Sequence, residues 1–255
     1  MPETRIAGHL IHYEWRGSPD PADPALVFLH DGLGAVGAWR GVPELIAARL
    51  GARALVYDRW GYGRSDPRPD FPYAFMQAEV APLAALLEQL GVARAHLVGH
   101  SDGGSIALLL AAAQPGRVLS LVTEAAHVFV EPETQAGIRA LVALQQAGRT
   151  PGWLTRLHGQ RAEPLLAAWC QGWLSAEHAR WNITAELPRI RCPLLVVQGE
   201  RDEYGTLAQV WAIQAGVPGA AAWTVPGCGH TPHAEAETAF VEHVTDFLRP
   251  LIAVQ

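Results

Sequence analysis

Short apolar runs alternate along this chain with longer segments that have the apolar spacing of helices. The pattern predicts strands at Leu10–Trp15, in an N-terminal hairpin, and at Ala25–Leu29, Arg53–Tyr57, Ala95–Val98, Leu119–Thr123, Leu194–Gln198 and Ala221–Val225. It predicts helices between them at Pro43–Leu50, Tyr73–Leu90, Ser105–Gln114, Leu207–Ala215 and Glu235–Leu248. Such alternation is typical of an α/β fold in which helices cover both faces of a mostly parallel central sheet.

One interval breaks the alternation. From Val128 to Arg189 the sequence has no evident strand, and its composition is helical and rich in tryptophan. A structureless loop of this length is improbable inside a compact domain. We therefore expect a helical cap insertion at 128–189, over the carboxyl ends of the strands, with a core formed by 1–127 and 190–255.

Composition excludes several classes of function. The chain has 255 residues, is 49% hydrophobic and 17% charged, and carries a net charge of −6 without any basic run. These values predict a globular protein that does not bind nucleic acid. No apolar run approaches the roughly 20 residues that span a bilayer, and no secretory signal is visible at the N-terminus. We expect a cytoplasmic monomer or homodimer that has no membrane partner and acts on a small molecule.

The basic residues and the cysteines limit the chemistry further. All 19 basic residues are arginines, which excludes a Schiff-base lysine or a phosphate-binding P-loop lysine. The three cysteines, at 170, 192 and 228, have no metal-ligand spacing. We therefore expect reduced thiols, no metal and no cofactor.

A G-x-S-x-G motif lies where a predicted strand meets a predicted helix. Gly99 and Gly103 flank Ser101 in the run Gly-His-Ser-Asp-Gly-Gly. This context is that of a nucleophile elbow, in which a tight turn exposes the serine at the carboxyl end of a strand. Ser101 is therefore the candidate nucleophile.

A serine nucleophile needs a base, and the base needs a carboxylate that orients it. Asp202 follows the strand Leu194–Gln198 and is favoured over its neighbours Glu200 and Glu203. His230 follows the last predicted strand on a Gly-Cys-Gly turn and is favoured over His233, because Ser, Asp, His is the chain order in sheet hydrolases.

Two backbone amides usually receive the negative charge of the tetrahedral intermediate. One belongs to the residue after the nucleophile, Asp102. The other is expected in the glycine-containing loop that runs from His30 to Gly34.

These motifs together resemble those of the α/β-hydrolase fold family over essentially the whole chain. The run from Tyr57 to Ser65 is similar to the family's D-x-R-G-x-G-x-S loop, with Trp60 inserted before the first glycine. The loop that begins at His30 is similar to the family's H-G-x-x-G oxyanion loop, with Asp31 in place of the first glycine. The resemblance implies Gly32 as the second amide donor, with Leu33 as the second choice.

The serine nucleophile argues against the dehalogenases and epoxide hydrolases of this fold, which use aspartate. Hydrolysis of an ester, thioester or lactone remains, as does cleavage of a carbon–carbon bond next to a ketone, of the ring-cleavage type. A non-catalytic binding protein of the same fold is a further alternative.

Asp102 is the unusual residue of the elbow. Its carboxylate either turns away and complements the helix N-terminus, or faces a cationic group of the substrate. The Ser-Asp-Gly-Gly run and Trp173 are similar to the valacyclovir hydrolase (biphenyl hydrolase-like) subfamily, in which this acidic residue engages the α-amino group of an aminoacyl ester. Asp31, His127 and Trp173 are the other candidate substrate-binding residues.

Overall fold

The computed structural model describes residues 2–20, 22 and 24–252, and within them it contains an eight-stranded sheet. The strands are β1 (Glu3–Ile6), β2 (His9–Gly17), β3 (Ala25–Leu29), β4 (Arg53–Tyr57), β5 (Ala95–His100), β6 (Val118–Glu124), β7 (Leu194–Gly199) and β8 (Ala221–Val225). Their spatial order is β1-β2-β4-β3-β5-β6-β7-β8. The β1–β2 and β2–β4 pairs are antiparallel and every other pair is parallel, which confirms the predicted α/β class and the N-terminal hairpin.

Alternate residues of the central strands point to opposite faces of the sheet, as the two-residue period of a strand requires. On β3, for example, Leu26 and Phe28 belong to one apolar cluster, whereas Val27 and Leu29 belong to the other. Helices cover both clusters, and the central strands are therefore buried on both sides. Because both faces are buried, the central strands appear in the sequence as continuous apolar runs.

The helices are α1 (Val42–Leu50), α2 (Phe75–Ala78), α3 (Val80–Gln89), α4 (Asp102–Ala113), α5 (Pro132–Gln146), α6 (Gly152–His158), α7 (Ala162–Trp173), α8 (Leu207–Gly216), α9 (Pro232–Glu235) and α10 (Glu237–Ile252). Buried residues of α1 and α10 pack on one face of the sheet, and those of α3, α4 and α8 pack on the other. No described helix is long and apolar enough to cross a membrane.

Three predicted helices differ from the structure. The single helix predicted at Tyr73–Leu90 is wrong, because it is divided into α2 and α3; Pro82 has no N–H to donate to the carbonyl of Ala78. The helix predicted from Glu235 is likewise divided, at Ala236, whose backbone is not helical. Helix α4 begins three residues earlier than predicted, immediately after Ser101.

The interval between β6 and β7 contains α5, α6 and α7. Within the described residues its only β-type pairing is an isolated bridge between Phe129 and Asn182. Trp169, Trp173 and Trp181 from this interval are buried in the same apolar cluster as one face of the sheet. The interval is thus helical and packs against the core, and the boundaries 128–189 stay a prediction.

Candidate active site

Ser101 occupies the sharp turn between β5 and α4. Its backbone has φ 52° and ψ −120°, a strained conformation for a residue with a side chain. A Cβ on Gly99 would lie 2.4 Å from the carbonyl oxygen of Gly103, and a Cβ on Gly103 would lie 2.1 Å from that of Leu29. Both flanking glycines are therefore required by close backbone approach, as the motif predicts.

Asp202 and His230 meet at the carboxyl edge of the sheet. The Nδ1 atom of His230 lies 2.8 Å and 2.9 Å from the two carboxylate oxygens of Asp202. The carboxylate also accepts hydrogen bonds from the amide of Tyr204 at 2.8 Å and from the side chain of Gln198 at 2.6 Å. These bonds orient Asp202 toward the imidazole and leave His230 Nε2 free of the carboxylate.

Asp202 and His230 each shift the pKa of the other. Burial alone raises the pKa of Asp202, but the charge of His230 and its hydrogen bond outweigh burial and lower that pKa. Burial alone lowers the pKa of His230, but the charge and hydrogen bond of Asp202, with the charges of Asp31 and Glu203, raise it to about 9. The imidazole is therefore a strong base once it loses its proton.

Ser101 and His230 line one cavity of about 700 Å³. Among the described residues, no hydrogen bond joins the Ser101 hydroxyl to His230. Catalytic hydrogen bonds often tighten only when substrate is bound. The structure thus brings the three predicted residues to one site, with the Asp–His contact formed.

The loop after β3 carries the predicted amide donors. The amide of Leu33 donates a hydrogen bond to the carboxylate of Asp31 at 3.4 Å. Within the described part of the chain, the amides of Gly32 and Asp102 have no acceptor, and both residues line the cavity with Ser101. This difference favours Gly32 over Leu33 as the partner of Asp102.

Arg59, from the loop after β4, holds the loop that carries Gly32. Its buried guanidinium donates hydrogen bonds to the carbonyl oxygens of Asp31 at 2.7 Å and of His30 at 3.3 Å. Asp58 accepts a hydrogen bond from the amide of Val36 at 2.6 Å. The Asp-Arg pair of the sequence motif therefore acts on the backbone of the neighbouring loop.

The Asp102 side chain lies at the start of α4 and is fully buried. Its Oδ2 accepts a hydrogen bond of 3.0 Å from the indole nitrogen of Trp169 on α7, and its Oδ1 has no partner among the described residues. Burial raises the pKa of Asp102, although the charge of Arg59 and the Trp169 hydrogen bond oppose that effect. The Trp169 ring also lies against Gly32, where a Cβ would be 2.5 Å from it.

All four predicted substrate-binding residues, Asp31, Asp102, His127 and Trp173, line the cavity. The wall contributed by α5 and α6 is largely apolar and includes Ile138, Leu141, Leu144, Trp153 and Leu157. Charged side chains also line the cavity: Arg156 on α6, and Arg40 and Glu203 from outside α5 and α6. The cavity therefore combines the carboxylates of Asp31, Asp102 and Glu203 with an apolar part, lined by these apolar residues of α5 and α6, which we call the apolar arm.

Several residues of the site were missed by reasoning from the sequence. Trp169 and Tyr204 line the cavity but belong to no motif. His100 occupies the variable position of the elbow motif, and its Nε2 bonds the carbonyl oxygen of His230 at 2.8 Å. Of these three residues, only His100 could have been found from the sequence, because it directly precedes the candidate nucleophile.

Comparison with known proteins identifies the family of the chain. The family model described as alpha/beta hydrolase fold matches residues 24–187. The chain belongs to the α/β-hydrolase fold family. A second model, described as TAP-like protein, matches residues 157–251 of this α/β-hydrolase.

Relatives agree with that assignment. The α/β-hydrolase is 29% identical to "Serine hydrolase BPHL" of Homo sapiens, over 97% of this chain and 86% of the relative. It is 28% identical to "sn-1-specific diacylglycerol lipase ABHD11" of Mus musculus, over 90% of this chain and 82% of the relative. The enol-lactonase of Burkholderia xenovorans LB400 has the same fold, with a TM-score of 0.79 at 21% identity, and 97% and 99% of the two chains are covered. This protein is therefore a hydrolase of the α/β-hydrolase fold.

Proposed function

We propose that this hydrolase cleaves a small carboxylic ester through an acyl-enzyme intermediate on Ser101. The observation that carries the proposal is the contact of His230 Nδ1 with both oxygens of Asp202 beside a serine in a strained elbow. A positioned carboxylate fixes the tautomer of the histidine and stabilises the imidazolium that forms during reaction.

In the proposed reaction, Ser101 Oγ attacks the ester carbonyl carbon while His230 Nε2 takes the hydroxyl proton. The amides of Gly32 and Asp102 donate hydrogen bonds to the resulting oxyanion. Collapse of the tetrahedral intermediate expels the alcohol, which receives the proton from His230. Water then enters, loses a proton to His230, and releases the carboxylic acid and Ser101 by the same steps in reverse.

The test is turnover of p-nitrophenyl acetate by Ser101→Ala. Ser175→Ala is the matched control, at a half-buried turn that does not line the cavity. We expect the first variant to lose turnover and labelling by a fluorophosphonate probe, whereas the second keeps both. Mass spectrometry of the denatured wild type should find the acyl group on Ser101. Full activity of Ser101→Ala would contradict the proposal.

Two other outcomes would favour the alternative functions. Failure of the probe to label the wild type would favour a binding protein. Turnover of a vinylogous diketone without ester hydrolysis would favour carbon–carbon cleavage.

We further propose that the ester carries a free α-amino group. The carboxylates of Asp31, Asp102 and Glu203 on the cavity support this substrate class, because a protonated amine would compensate negative charge near the oxyanion. We expect faster hydrolysis of an aminoacyl ester than of its N-acetylated form, and a smaller ratio in Asp102→Asn. Equal rates on the two esters in the wild type would exclude this refinement while leaving ester hydrolysis intact.

A further inference from the structure

Glu124 ends β6 next to the nucleophile elbow. Its backbone carbonyl oxygen accepts a hydrogen bond of 2.8 Å from the amide of Ser101. Because the Ser101 backbone is strained, it needs a partner that holds the turn in place. Glu124 supplies that partner through its main chain.

The side chain of Glu124 reaches a second loop. One carboxylate oxygen accepts a hydrogen bond of 2.7 Å from the amide of His233, and His233 Nδ1 lies 3.0 Å and 2.9 Å from the two oxygens. His233 lies at the start of α9, three residues after His230. Glu124 thus contacts both the elbow and the segment that carries the proposed base.

His100 lies between these two contacts. Its Nε2 is 2.8 Å from the carbonyl oxygen of His230, and because a carbonyl can only accept, Nε2 carries the proton. Its ring centroid lies 5.0 Å from that of His230 and 5.0 Å from that of His233. The Nδ1 atom of His100 faces Asp31 at 3.8 Å.

We propose that Glu124, acting with His100 and His233, is a positioning residue that fixes the distance between the Ser101 elbow and the His230 loop. This inference rests on the proposed roles of Ser101 and His230. The side chain of Glu124 does not line the cavity, whereas those of His100 and His233 do. Their contacts with the backbone lie at Ser101, His230 and His233.

The donor atoms of His100, Glu124 and His233 lie within 4.8 Å of one another, a spacing that also suits a metal ion. The hydrogen bonds favour an ion pair instead, since His233 Nδ1 already contacts both oxygens of Glu124. Burial raises the pKa of Glu124, but the charges of His233 and His100 and the hydrogen bonds of His233 lower it overall. Burial lowers the pKa of His233, and the charge and hydrogen bond of Glu124 raise it overall.

The test is Glu124→Gln, which keeps the shape of the side chain and removes its charge. A shift of the His230 loop by about 1 Å costs on the order of 100-fold in rate. We therefore expect kcat for p-nitrophenyl acetate, and the rate of fluorophosphonate labelling, to fall about 10- to 100-fold. KM should stay within about two-fold, because the cavity walls are unchanged.

Glu79→Gln is the matched control. Glu79 is another buried carboxylate in an ion pair, with Arg68 at 2.6 Å, and it does not line the cavity. We expect this control to lower Tm while keeping kcat. A folded Glu124→Gln protein whose kcat equals that of the wild type would overturn the inference.

His100→Phe provides a second variant if Glu124→Gln does not fold. The phenyl ring keeps an aromatic ring of somewhat larger volume at this position and removes the donor to the His230 carbonyl. We expect a similar fall in kcat, together with a shifted proton NMR signal for His230 Nδ1–H. An unchanged kcat and an unchanged signal would overturn the inference. Labelling of wild-type Ser101 separates this outcome from failure of the proposed function, in which the wild type itself would not react.

Discussion

The indole nitrogen of Trp169 donates a hydrogen bond of 3.0 Å to the buried carboxylate of Asp102. This contact joins α7, in the inserted helices, to the residue after the proposed nucleophile. The same indole ring covers Gly32, the other proposed amide donor. One tryptophan thus touches both sides of the proposed oxyanion site.

Trp169→Phe tests the energetic weight of this contact. Removing the donor leaves a fully buried carboxylate without its hydrogen-bond partner, which costs about 1–3 kcal/mol. We expect a lower free energy of unfolding by that amount, measured by urea denaturation. In the background of Asp102→Leu the same substitution should cost much less, and equal costs in the two backgrounds would show that the bond contributes nothing.

Gly32→Ala should impair catalysis more than folding. The added methyl group would meet the Trp169 ring at 2.5 Å, and either the ring or the loop must move. Since displacement of an oxyanion donor by about 1 Å costs on the order of 100-fold, we expect kcat to fall about 10- to 100-fold. Gly116→Ala is the control, because its Cβ would meet open space. A kcat within experimental error of the wild type for Gly32→Ala would argue against Gly32 as donor.

The pH dependence of kcat/KM reports the base of the free enzyme. His230 acts as a base only when neutral, and its pKa is raised to about 9. We therefore expect kcat/KM to rise with pH through about 9 rather than through the usual range of histidine near 6.5. The stability that the charged imidazole contributes has the opposite dependence: it is present below about 6.5 and is lost as pH rises through about 9.

Asp31→Asn should move this transition to lower pH, since it removes one of the negative charges that raise the pKa of His230. Asp246→Asn, an exposed carboxylate on α10, is the control and should leave the profile unchanged. If kcat/KM of the wild type rose with a midpoint near pH 6.5, the pKa of His230 would not be raised, and the prediction would be wrong.

The apolar arm under α5 and α6 should set the preferred chain length. Leu144→Trp fills part of that arm, and we expect the ratio of kcat/KM for hexanoate over acetate esters to fall about 10-fold. Leu45→Trp adds the same side chain at an exposed position on α1 and should not change the ratio. An unchanged ratio in Leu144→Trp would place the acyl chain elsewhere in the cavity.

Much of the fold was predictable because the central strands are buried on both faces and appear as continuous apolar runs. The start of α4 was not predictable, since Gly103 and Gly104 are poor helix formers. Their places in the helix are packed closely against the end of β3 for Gly103 and against Ala126 for Gly104. Pro82 marked the break between α2 and α3, but the apolar spacing around it masked that signal.

For the site, the chain order of Ser101, Asp202 and His230 was enough to predict that they meet. The partner of Asp102 was not predictable, because Trp169 lies 67 positions away on a helix whose placement depends on tertiary packing. The Glu124–His233 pair joins residues 109 positions apart for the same reason. Contacts of this kind follow from how elements assemble, and no local pattern in the chain reports them.

The tight approach of Gly103 to the Leu29 carbonyl has a consequence for how this enzyme gains its activity. The elbow packs directly on a strand more than seventy positions earlier in the chain, and that strand pairs with β5, which leads into the elbow. We therefore expect the proposed nucleophile, Ser101, to become reactive in a newly synthesised or refolding chain only after β3 pairs with β5. On the proposed role of Ser101, its labelling by a fluorophosphonate would report assembly of the sheet, and we expect local opening of the β3–β5 pair to abolish that labelling before the rest of the molecule unfolds.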